Sequence, residues 1–133
     1  MSAPDPAREE AGRWYAIASE DLRVAKTCLT LSPPALGNGA YHCQQAAEKM
    51  MKGLLVFAGT GFRKVHDLDE LADLTSPLYP GLAADLDLCR RYSSWAIECR
   101  YPPEDDAPPP SEKSIGAAVT VLERLLAAIR RLA

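Results

Sequence analysis

His42 and His66 are the only imidazoles among the 133 residues. His42 stands with Gln45, Lys49 and Lys52 at spacings of three and four, which places all four on one side of a helix. An imidazole can serve as a general base, and two lysines one turn apart can meet a phosphate. The plainer reading of Lys49 and Lys52 is a solvated helix face, with Glu48 and Lys52 forming an ordinary i,i+4 pair. His42 reads first as a surface or interface histidine and only second as a general base. His66 ends the basic stretch Phe62-Arg63-Lys64-Val65-His66. Either its ring packs on the preceding helix and bonds a backbone group, or it joins Arg63 and Lys64 in contacting a phosphate or a base. A third candidate is Arg100-Tyr101-Pro102. The residue before proline is driven out of helical geometry, so Tyr101 leaves the helix there. Arg100 is then aimed at a ligand or partner, or else satisfies carbonyls at the helix end. Arg90 and Arg91 raise the same question.

Several chemistries lack their sequence signatures. There is no glycine-rich phosphate loop, no GxSxG and no HExxH. Cys28, Cys43, Cys89 and Cys99 form no CxxC pair and read as buried thiols, not as a zinc site or disulfide framework. No metal and no cofactor is expected. The formal net charge of −3 argues against non-specific binding to a nucleic-acid backbone, which requires a basic surface. No apolar run reaches the length of a membrane helix and no basic-then-apolar leader opens the chain, so no membrane association is expected and the cytoplasm is the expected location.

These residues need helices to position them, and the apolar spacing supplies them. Residues 1–7 read as a flexible lead-in, and residues 8–133 as one domain. A first helix over residues 8–31 has the seam Ala11, Tyr15, Ala18, Leu22, Ala25 and Leu29, widened by Trp14, Ile17 and Cys28. Asp21 lies beside this seam, within reach of a neighbouring helix. Ser32-Pro33-Pro34 ends it. A second helix opens near Asn38 and buries Ala40, Cys43, Ala47, Met50, Met51, Leu54 and Ala58, with Gln44 at the edge of the apolar arc. Gly59-Thr60-Gly61 closes it. Asp67-Leu68-Asp69-Glu70 has the form of a capping box and opens a short helix. A fourth helix is expected over residues 82–99, with the seam Leu82, Leu86, Cys89, Tyr92 and Ala96. Five prolines and three acids then form an extended loop. Ser111 caps a last helix lined by Ile115, Ala118, Val119, Leu122, Leu125, Leu126, Ile129 and Leu132. The pattern predicts an all-α, up-and-down bundle of four long helices and one short helix.

The same residues resemble the HEPN domain family. The features are Trp14, Ala18, Asp21-Leu22 and Ala25; the block Gln44-Gln45-Ala46-Ala47-Glu48-Lys49 with Lys52 and Leu54-Leu55; then His66-Asp67-Leu68, Leu71 and Arg100-Tyr101-Pro102. The resemblance implies a five-helix bundle that often dimerises, and frequent pairing with a small (minimal) nucleotidyltransferase in toxin–antitoxin or nucleotide-transfer modules. Many members are metal-independent ribonucleases that use an arginine followed, four to six residues later, by a histidine. This sequence departs from that signature, because Arg100 is followed by Tyr101-Pro102-Pro103-Glu104-Asp105-Asp106.

Three functional readings follow. The first is a non-catalytic subunit that binds either a nucleotide or RNA, or a nucleotidyltransferase partner, and also its own copy, with Gln45, Lys49, Lys52, Arg63, His66, Arg100 and Tyr101 as polar contacts. The second is a ribonuclease whose base is His42 or His66. The third is a helical dimer with an interaction role and no ligand.

Overall fold

The computed structural model describes residues 5–61, 67–98 and 110–132. Its elements are α1 (Pro6–Thr30), α2 (Leu36–Phe57), α3 (Leu68–Thr75), a 3-10 turn (Pro80–Leu82), α4 (Ala83–Leu88), a second 3-10 turn (Cys89–Tyr92), α5 (Trp95–Glu98) and α6 (Glu112–Arg130). Among the described residues there is no strand. The fold is an all-α bundle.

α1 begins at Pro6, inside the stretch expected to fray. Asp5 explains this: its carboxylate accepts from the amides of Ala7 and Arg8, and Pro6 needs no partner in the first turn. α2 begins at Leu36, two residues before Asn38, with no side-chain cap. It ends as its glycines require. Gly59 takes a φ of +74°, and the amides of Gly59 and Thr60 return to the carbonyls of Val56 and Leu55. Asp67 caps α3 by accepting from Asp69. Glu70 is exposed and does not reach back, so the capping box is incomplete. Ser93 takes its place, with its hydroxyl donating to Asp67 and accepting from the Leu68 amide. Ser111 caps α6 through the Ser114 amide.

The expected fourth helix is broken. Its apolar spacing is real, since Leu86, Cys89, Tyr92 and Trp95 are all buried. The backbone tightens to 3-10 geometry at Cys89–Tyr92 and turns at Ser93-Ser94. Two arginines hold the segments in place. Arg124 of α6 grips Asp85 of α4 with two nitrogens, at 2.6 and 3.0 Å. Arg90 reaches Asp73, Asp87 and the Asp69 carbonyl. Arg90 is therefore a surface clamp whose guanidinium is already met by carboxylates of α3 and α4. Bonds to Asp73 and then Asp87 raise its already high pKa.

α2 is the central helix, packed by α1, α3, α5 and α6. Its closest neighbour is α1, which runs antiparallel to it along Ala11, Ala18, Ala25, Ala40, Ala46 and Ala47, all fully buried. Small side chains let the two backbones approach. Gly53 marks the tightest point. A Cβ there would lie 2.8 Å from Tyr15 Cδ1 and 3.1 Å from Trp14 Cβ. Cys28, Cys43 and Cys89 are buried free thiols, and burial pushes Cys43 and Cys89 up to about 12.

Gly12 offers the contrast: it lies within α1, and a Cβ there meets nothing within 4 Å. Gly53→Ala is expected to destabilise the fold by about 1–3 kcal/mol through overpacking. Gly12→Ala is expected to stabilise it by about 0.5–1 kcal/mol through helix propensity. Urea denaturation of both variants checks the sign and the size.

Candidate functional site

The antiparallel α1–α2 pair carries a ladder of unlike side chains on one side. Trp14, Ile17 and Asp21 recur at i, i+3 and i+7 on α1. Asp21 Oδ1 lies 2.9 Å from His42 Nδ1. Toward the other end, Lys49 and Lys52 approach the face of the Trp14 ring, at 5.9 and 5.8 Å from its centroid. On α1, Ile17 falls between these two rungs. Ile17 is half exposed, at 49% of its surface.

A carboxylate accepts and never donates when ionised, so Asp21 fixes the His42 proton on Nδ1 when the ring is neutral. Nε2 is then left with its lone pair, which is the arrangement a general base uses. The Tyr41 ring packs edge-on against the imidazole, with centroids 5.2 Å apart. This pair realises the reach expected of Asp21.

The lysines are placed otherwise than expected. Glu48 is 1% exposed and Lys52 5%, so neither lies on a solvated face. Glu48 Oε2 takes Lys49 Nζ at 3.1 Å and Lys52 Nζ at 3.5 Å. The physical reason is the central position of α2, which has neighbours on several sides and buries most of the residues from Gly39 to Leu55. Gln44 is fully buried, and its Oε1 accepts from Gln45 Nε2 at 2.6 Å. Two enclosed polar atoms near this seam, Gln44 Nε2 and the Tyr15 hydroxyl, have no hydrogen-bond partner among the described residues. Burial, and then Tyr79, raise the Tyr15 pKa, so its hydroxyl stays protonated.

The structure thus brings together His42, Gln45, Lys49 and Lys52 on neighbouring turns of α2. Arg63, His66, Arg100 and Tyr101 lie outside the described residues. Sequence reasoning treated Trp14 as seam filler and missed its place over the lysines; its i+7 spacing to Asp21 was the available signal. Among the described residues no cluster of three or more His, Cys, Asp or Glu side chains is arranged to hold a metal.

Residues 11–132 match the family model described as the HEPN domain. The chain belongs to the HEPN family. Neither the curated proteins nor the solved structures contain a match. Among the described residues of this HEPN domain, no helix is long and apolar enough to cross a membrane.

The Asp21–His42 bond has a direct spectroscopic consequence. Long-range ¹⁵N–¹H correlation spectra are expected to place the proton of neutral His42 on Nδ1, and Asp21→Ala is expected to move the ring toward the Nε2-protonated tautomer. An unchanged pattern in the variant would remove Asp21 as the orienting group.

Proposed function

We propose that this HEPN domain is the binding subunit of a two-component, toxin–antitoxin-like module in the cytoplasm. In this reading it pairs with its own copy and with a minimal nucleotidyltransferase, and it takes a nucleotide or RNA without cleaving it. The observation that carries the reading is the ladder face. Half-exposed Ile17 sits beside Trp14 and between charged rungs, a mixture of apolar anchor and polar rim that suits a protein interface. The sequence after Arg100 supports the absence of cleavage, because no histidine follows at the family's ribonuclease spacing. Lys49 contributes at the rim of this face, held in place by the buried Glu48, while Lys52 supports the cluster from inside.

One observation favours a second reading. Asp21 orients His42 with Nε2 left as the base, so a ribonuclease using this non-standard histidine is chemically coherent.

Light scattering, co-purification with a minimal nucleotidyltransferase from the source cell, and RNA incubation separate these readings. The first reading expects a dimer that Ile17→Glu converts to monomer, capture of the nucleotidyltransferase, and intact RNA. RNA cleavage lost in His42→Ala would transfer the assignment to the second. A monomeric wild-type chain that captures no nucleotidyltransferase would overturn the first.

A further inference from the structure

A second feature lies on the other side of α1, away from the ladder. The first turns of α1, the end of α2 and the end of α6 enclose a groove of about 360 Å³. Arg8 and Arg130 are on its walls, and Gly12, Ala16, Phe57 and Ile129 line the space between them. Among the described residues neither arginine has a carboxylate partner. Arg8 lies over the Phe57 ring at 5.9 Å from its centroid, and Arg130 makes no ion pair with any of them.

Three local costs coincide here. Arg8 is in the first turn of α1, where the helix dipole disfavours a cation. Arg130, at the end of α6, suits its own dipole, but it shares the groove with Arg8 and adds like charge. Gly12 is among the least favourable residues for a helix interior, and neither a close helix crossing nor a positive φ calls for it. An oxyanion between the arginines relieves the first two costs. The space a side chain would otherwise fill at position 12 gives the third a use.

We propose that this groove binds a small organic anion, a carboxylate or phosphate ester with an aromatic or aliphatic body. Guanidinium groups recognise either oxyanion in a planar, two-point manner. The body lies on Ala16, Phe57 and Ile129 in the space left open by Gly12. The volume falls at the small end of the range for ligand sites. The site is independent of the ladder face, so its fate does not depend on the function proposed above.

Nuclear magnetic resonance titration with 1-naphthoate, 1-naphthyl phosphate and the neutral 1-naphthalenemethanol tests it. Both anions, or one of them, are expected to shift the amides of Gly12, Ala16 and Ile129, and a preference between them identifies the head group. The alcohol is expected to bind about tenfold more weakly, and Arg8→Ala and Arg130→Ala each to weaken the anions about tenfold. Gly12→Leu, which favours the helix and fills the space, is expected to abolish binding. Arg23→Ala, outside the groove, is expected to leave it unchanged. Absence of shifts with both anions, equal binding of the alcohol, or equal binding by the arginine variants would overturn the assignment.

Discussion

A carboxylate in the interior of a helical bundle sets the terms for the rest of this molecule. Glu48 is enclosed among Ala46, Ala47, Met50 and Met51, all fully buried. A charge in such a place is costly unless it is met by an opposite charge. Lys52, itself buried, and Lys49 at the edge meet it. Their ammonium groups also draw Trp14 of α1 over them. One buried acid thereby fixes the rotamers of two lysines and the position of an aromatic ring on another helix.

That arrangement works only because α1 and α2 lie close together. The alanine seam and Gly53 allow the approach, with the Tyr15 ring filling the space where a Cβ at Gly53 would be. The same closeness brings Asp21 to His42 further along the pair. The packing of two backbones is thus the direct cause of the chemistry on the ladder face. The more distant elements are held by exposed arginine clamps, Arg124 on Asp85 and Arg90 on Asp73 and Asp87. Such pairs on the surface fix geometry more than they add stability.

Much of this was legible in the sequence. The helices α1, α2 and α6, the Gly59 and Ser111 ends, and the reach of Asp21 all follow from local rules. The burial of Glu48 and Lys52 was not legible. Periodicity identifies the face a helix prefers to bury, but it does not count how many neighbours surround the helix. On an isolated α2 the pair is a surface i,i+4 contact; with α1, α3, α5 and α6 around it, the same spacing becomes an internal ion pair. The broken fourth helix has a similar origin. Leu86, Cys89, Tyr92 and Trp95 bury their side chains whether the backbone is α or 3-10, so apolar spacing alone does not reveal the change.

The central claim is that Glu48 and Lys52 act as one buried unit. A double-mutant cycle with Glu48→Gln and Lys52→Met, read by urea denaturation, addresses it most directly. Glu48→Gln is expected to cost about 3–5 kcal/mol, since it takes this carboxylate from the buried Lys52, and Lys52→Met about 1–3 kcal/mol, since Lys49 still meets Glu48. The double variant is expected to cost clearly less than the two together. Costs that add to within about 0.5 kcal/mol would mean the two side chains do not interact, and would contradict the account.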